Sequence, residues 1–273
     1  MSPQTDALYT ETPQARGPLE FLCALVLVIT PMAFQARMIA QTEAPPSATE
    51  QTRIIELLRR YAAGYHEYDD IVYDRTEVFA VKGTWGKKKW HKEFTDSATW
   101  MEHNGHQFYR TEGWNGKPKW KPGVRYGGTD LFKALAREGT EFAWDRWDIR
   151  RGRRCATLHY SIDSTHSQYV LLEPGIGHAI VPYQGSVCAD PETGTIWYLS
   201  TDITQIPAQF RYKHEWDTVD YDVVTIGATQ HVVAVANAQC GEQKDGTALC
   251  LNRTFRNFHK FEAASSVTYG SPQ

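Results

Sequence analysis

The chain has 273 residues, and its 29 Lys and Arg against 32 Asp and Glu give a formal net charge of −3. That near-balance excludes the strongly basic surface of a nucleic-acid binder, whose affinity comes from neutralising phosphates. With 9 Trp and 14 Tyr the chain is rich in aromatics, which suits strands and concave apolar surfaces better than bundled helices.

Residues 21–29 form the apolar run Phe-Leu-Cys-Ala-Leu-Val-Leu-Val-Ile, broken at Thr30-Pro31. A spanning helix needs roughly 18 or more apolar residues, whereas a signal-peptide core needs ~7 to 15. The run therefore predicts export of a chain processed within residues 1–40, near Ala36 or Ala40. The preceding flank is acidic, with Arg16 against Asp6, Glu11 and Glu20, so an uncleaved N-terminal anchor is the alternative reading. Residues 41–52 read as a linker and 53–269 as a single β-rich domain in a periplasmic or secreted protein.

Ile54, Ile55, Leu57, Leu58, Tyr61 and Ala62 recur at helical spacing up to Gly64 and predict one amphipathic helix. After Asp69-Asp70 the texture becomes β: residues 71–82 are a strand, and 90–102 and 106–112 flank Asn104-Gly105, a dipeptide suited to a type I′ hairpin. Residues 114–126 are a Gly/Pro/Lys-rich loop. Thr129-Asp130 then caps a short helix over 131–137. From 141 onward strands follow with tight turns, at 141–150, 153–163, 167–173, 178–189, 195–206, 213–226, 230–240 and 249–263. The fold class is mainly β (α+β): a curled antiparallel sheet or unclosed barrel of about eleven strands, with an N-terminal helix and one inserted short helix.

A curled sheet has a concave face to fill or to use. Alternation puts Ala156, Leu158, Tyr160 and Ile162 on one face, Phe142 with Trp144 on the strand before, Trp197 with Leu199, and Val219, Tyr221 and Val223 together. From these, Phe142, Trp144, Leu158, Tyr160, Trp197, Leu199 and Tyr221 are candidates for lining a ligand cavity, and core packing under a helix is the equal alternative. Cys240 and Cys250 flank a polar turn and are expected to form a disulfide, with Cys155 to Cys188 a second candidate pair.

No GxSxG elbow, HExxH helix, phosphate loop or dinucleotide fingerprint occurs, so no catalytic residue and no cofactor is nominated. The ten histidines scatter. His103 and His106 would share a metal only on a helix, and His66 to Asp70 reads as a solvated helix end, so no metal site is expected. The basic run Arg146, Arg150, Arg151, Arg153 and Arg154 offers a surface for an anionic lipid head group or a partner's acidic patch, though a solvated turn about Gly152 explains it with fewer assumptions. The Trp- and Lys-rich loops allow at most peripheral membrane contact.

An exported chain with a leading amphipathic helix, about eleven antiparallel strands and a helix inserted after the first three resembles the LolA/LolB/RseB-like lipoprotein-carrier superfamily across residues 49–269. Locally, Phe142-Ala-Trp-Asp-Arg-Trp147 with Arg151-Gly-Arg-Arg154, Gly185-Ser-Val187 and Asp220-Tyr-Asp-Val-Val-Thr-Ile226 look like segments of uncharacterised secreted bacterial proteins. The superfamily resemblance implies an unclosed barrel with helices over its apolar concave face and non-covalent handling of acyl chains or lipidated proteins. The reading is thus a non-enzymatic binder of an apolar ligand. A protein-binding envelope module is the first alternative, and a hydrolase whose groups converge from separate strands is the second.

Overall fold

The computed structural model describes residues 43–65, 71–83, 90–103, 106–112, 118–122, 129–173 and 175–261. The apolar run at 21–29 with its cleavage region, the His66 to Asp70 cluster, the Asn104-Gly105 turn and Lys87 to Lys89 lie outside the described residues. Among the described residues no helix is long and apolar enough to cross a membrane.

The first element is α1 (Ala48–Gly64). It begins inside the expected linker because Ser47 caps it: the Ser47 hydroxyl accepts from the Glu50 amide at 3.2 Å, and the Gln51 side chain donates to the Pro46 carbonyl. Ser47 and Glu50 have the spacing of a capping box, one residue after a proline that cannot extend the helix backwards. Ile54, Leu58 and Ala62, four residues apart, are buried along one stripe.

The strands are β1 (Ile71–Lys82), β2 (His91–His103), β3 (His106–Glu112), β4 (Pro118–Pro122), β5 (Thr140–Arg150), β6 (Arg153–Ile162), β7 (Val170–Glu173), β8 (Gly177–Ile180), β9 (Tyr183–Ala189), β10 (Ile196–Ile203), β11 (Tyr212–Ile226), β12 (Thr229–Gln243) and β13 (Ala248–Lys260). The second helix, α2 (Thr129–Ala136), lies between β4 and β5. It therefore follows four strands and not three, the extra one being β4 in the Lys/Pro-rich loop.

Eleven strands form one antiparallel sheet in the order β4-β3-β2-β1-β13-β12-β11-β10-β9-β6-β5. It is not a simple meander. β1 pairs with β13 from Ile71↔Lys260 to Lys82↔Ala248, so the first and last strands in chain order meet in mid-sheet. β6 skips to β9, which leaves β7 and β8 as a separate hairpin. The expected strand at 178–189 is cut by Pro182, which has no amide for a ladder, and the Val181 amide bonds instead to the Tyr169 carbonyl. Among the described residues β4 and β5 do not pair, and the sheet stays open.

Both helices cover one face. Ile54, Leu58, Phe132 and Leu135 pack there with Leu158, Val187, Ile196 and Leu199 into the main core. The turn before β10 comes against α1 at Gly194, whose φ of +75° favours glycine and where a Cβ would lie 2.3 Å from the Leu57 carbonyl carbon. Arg53 donates to the Pro191 carbonyl at 3.0 Å and ties the same turn to the helix.

Both disulfides form, Cys240–Cys250 across directly paired positions with Cα atoms 4.2 Å apart and Cys155–Cys188 at 5.5 Å. By strand parity each lies on the face opposite the helices. There Cys155, Cys188 and Trp197 form their own small cluster.

Candidate ligand-binding cavity

A cavity of about 530 Å³ separates the helix-covered face of the sheet from α2 and the 168–170 segment. Its walls carry a charged row at one end of the strands and are mostly aromatic and aliphatic toward the other, where Glu102 and Gln107 also line it beside Ile71. Along β11 the inward positions run from Asp217 to Val219 and Tyr221; along β12 from Asn237 to Ala234; along β13 from Arg253 to Phe255 and Phe258; along β1 from Arg75 to Tyr73 and Ile71. Phe255 and Phe258 are three apart, which simple alternation would place on opposite faces. Asn257 takes a left-handed φ of 55° at an irregularity in the β1–β13 register and returns Phe258 to the cavity side.

The polar end is a hydrogen-bonded row across four neighbouring strands. Arg253, 5% exposed, donates through Nε to Glu77 Oε2 at 2.6 Å and through Nη1 to Asn237 Oδ1 at 2.8 Å. Asn237 in turn donates to Asp217 Oδ1 at 2.5 Å. Burial pushes the Asp217 carboxyl up to about 6, against the opposing pull of Asn237 and Arg253. Burial also raises the hydroxyls of Tyr73, Tyr169 and Tyr221, so these groups are neutral phenols at physiological pH. Glu102 accepts from Tyr73 and Gln107, both at 3.1 Å.

Of the candidates read from the sequence, Tyr221 lines this cavity. Leu158, Tyr160 and Leu199 lie in the main core beneath the helices, and Phe142 and Trp144 pack against its edge. Tyr160 is anchored there by hydrogen bonds to the Ser200 carbonyl at 2.9 Å and Thr201 Oγ1 at 3.0 Å. Trp197 sits on the other face against the Cys155–Cys188 disulfide, because a register irregularity between Ile196 and Tyr198 breaks the alternation that would have set it beside Leu199. Val223 likewise packs with Trp197 and not with Val219. Sequence reasoning missed Asp217, Asn237, Arg253 and Arg75. The signal available was a charge at an apolar parity, Asp217 in phase with Val219 and Tyr221.

Outside the cavity, one serine, one histidine and one carboxylate line up across β9, β6 and β5. Ser186 Oγ lies 3.1 Å from His159 Nδ1, and His159 Nε2 lies 3.6 Å from Asp145 Oδ2. They stand on the face away from the helices, with His159 60% exposed, and line neither this cavity nor the smaller one between Glu141 and Gln205. The row thus lacks the enclosed, water-excluding setting that a nucleophilic site uses. Among the described residues no three His, Cys, Asp or Glu side chains gather as metal ligands.

The basic run is engaged locally. Arg151 and Arg153 pair with Asp222, Arg153 and Arg150 stack over Trp197 and Tyr198, and Arg154 stacks 3.5 Å over Trp147 while pairing with Glu43.

Large apolar side chains are exposed chiefly on the β7–β8 hairpin. Val170, Leu172, Ile176 and Ile180 are 52%, 76%, 48% and 56% exposed, while Leu171 between them is buried. Glu173 holds the hairpin to the body by accepting from the Arg211 amide and guanidinium. Val170 belongs to both features, since it also lines the cavity.

No family model and no curated protein matches the chain. Solved structures similar to it include an outer membrane lipoprotein-sorting protein domain from Vibrio parahaemolyticus, 10% identical over 77% of this chain and 93% of that one, with a TM-score of 0.35. Another is a LolA superfamily protein from Nitrosomonas europaea, 10% identical over 80% and 96% of the two chains, with a TM-score of 0.31.

Proposed function

We propose that this chain is an exported, non-enzymatic binder of an apolar ligand, an acyl chain either free or carried on a lipid-modified protein. The observation that supports the reading is the cavity of about 530 Å³ between sheet and helix, within the size range of small-molecule sites. Its apolar end needs no reactive group to bind. Each Å² of chain surface buried there contributes about 25 cal/mol, so ~300 Å² gives roughly 7 kcal/mol before the costs of association. Export is supported by the apolar run at 21–29 and by two disulfides, which persist in oxidising compartments. Membrane contact in this reading is peripheral and runs through the β7–β8 hairpin, which leads from its exposed apolar face to the cavity at Val170.

The test is uptake of a fluorescent fatty-acyl probe by delipidated protein. Saturable binding is expected, with affinity reduced at least tenfold by Ala234→Trp, which fills the cavity from its β12 wall. A delipidated, folded protein that takes up no acyl probe would sink the reading.

A further inference from the structure

The cavity holds hydrogen-bonding capacity of one sign that the protein itself does not use. Its carboxylates are occupied: Glu102 accepts from Tyr73 and Gln107, Asp217 from Asn237, and Glu77, beside the wall, from Arg253. Arg253 is itself engaged by Glu77, Asn237 and Gln239. Arg75 differs. Its side chain is 14% exposed, its guanidinium carbon lies 3.5 Å from the centre of the Trp100 ring, and its nearest carboxylate, Glu77, is 3.9 Å away. Among the described residues no acceptor hydrogen-bonds to that guanidinium.

A guanidinium carries five N–H donors and keeps its charge in a protein, so a partly buried one without a protein acceptor leaves those donors to water or to a ligand in the cavity. Burial pulls against its charge, the Glu77 carboxylate offsets part of this, and the neighbouring Arg253 cation acts in the same direction as burial. The stack on Trp100 fixes the plane of the fork while leaving its edge free to donate. Tyr73 and Ile71 follow on the same strand toward the apolar end, with Phe255 opposite Arg75 in the register.

We infer that Arg75 is the head-group site of the cavity and that the ligand is a long-chain anionic amphipath, its carboxylate held by the Arg75 fork and its chain lying along Tyr73, Phe255 and Tyr221. The inference rests on the proposed role of the cavity and adds to it a ligand class and an orientation. A carboxylate matches the planar fork with two parallel hydrogen bonds and supplies the acceptors that Arg75 lacks. The tail then lies along the aromatic side chains, past Glu102, whose carboxylate is already engaged by Tyr73 and Gln107.

The test compares cis-parinaric acid with its methyl ester on delipidated full-length protein, by probe fluorescence. The acid is expected to bind at least tenfold more tightly than the ester. In Arg75→Met, which keeps an apolar stem over Trp100, the two should bind within about twofold of one another. Acetate in hundredfold excess over the probe should leave the acid bound; displacement would reassign the site to small free anions and overturn the amphipath. Equal binding of acid and ester by the wild-type protein overturns the head-group site while leaving the apolar cavity standing, and requires no variant to fold. Binding of neither probe overturns both.

Discussion

Arg253 Nε and Glu77 Oε2, 2.6 Å apart and both largely shielded from water, join the last strand of the sheet to the first. The pair sits where β13 meets β1, the contact that brings the first and last strands in chain order together. Removing one partner strands the other charge in a low-dielectric setting, at a cost of about 3 to 5 kcal/mol, whereas replacing both with apolar side chains of similar volume is often near neutral. Arg253→Met should therefore lower unfolding free energy by that amount, and the double variant Arg253→Met, Glu77→Leu should recover more than half of it. Urea unfolding of the three proteins measures this. A double variant no better than the single one would show that the hydrogen bonds to Asn237 and Gln239, not the ion pair, hold the seam.

Asp217 makes stability depend on pH in an unusual direction. A carboxyl whose pKa is higher folded than unfolded binds more protons in the native state, so its contribution falls as pH rises through the interval between the two values. With the folded value pushed up to about 6 by burial and an ordinary value of 3.8, the penalty grows between about pH 4 and pH 6 and is constant above. Asp217→Asn keeps the carbonyl oxygen that accepts from Asn237 and removes the titration. The stability of the Asn variant minus that of the wild type should rise across this window and level off above pH 6, at no more than about 3 kcal/mol. Taking the difference cancels other carboxylates such as Asp222 and Glu242, whose ion pairs act in the opposite sense. A flat difference from pH 4 to 7 would show that Asp217 titrates alike in both states.

The two disulfides differ in how much chain they close, 33 residues for Cys155–Cys188 and 10 for Cys240–Cys250. Loop-closure entropy gives about 3.7 kcal/mol for the first and about 2.7 kcal/mol for the second. Cys155 and Cys188 are also wholly buried against Trp197, so their replacement by Ala loses packing as well. Guanidinium unfolding of the two double-Ala variants should rank the 155/188 variant as the less stable, by 1 kcal/mol or more. The reverse order would place the strain of the fold in the β12–β13 hairpin.

Both helices and most strands were legible because each carries its own period: α1 in Ile54, Leu58 and Ala62, β6 in Ala156, Leu158 and Tyr160. The Cys240–Cys250 bridge was legible because ten residues with a polar turn between two β runs bring their ends together. Irregularities were not. One displaced residue near Ile196 sent Trp197 to the outer face, and the left-handed Asn257 kept Phe258 on the inner one, since a period of two has no memory across a bulge. The polar row was hidden for another reason: Glu77 and Arg253 are 176 positions apart, and only the β1–β13 pairing, which no local pattern encodes, makes them neighbours.

The β7–β8 hairpin leads to the last prediction. Val170, Leu172 and Ile180 project from one side of a two-stranded ribbon, and Val170 opposes Ile180 in the register. Such a patch is costly to leave in water and gains roughly 1.5 to 3 kcal/mol for each large aliphatic side chain that reaches an apolar phase. Leu172→Ser with Ile180→Ser should reduce the fraction of protein that co-sediments with phosphatidylcholine vesicles by tenfold or more. Because both side chains are exposed in the folded chain, thermal stability should change little, within about 0.5 kcal/mol, and acyl-probe affinity in vesicle-free solution should be unchanged. Co-sedimentation undiminished in the double variant would assign the membrane contact to another surface, and a loss of probe affinity without vesicles would add Leu172 and Ile180 to the cavity wall that Val170 already lines.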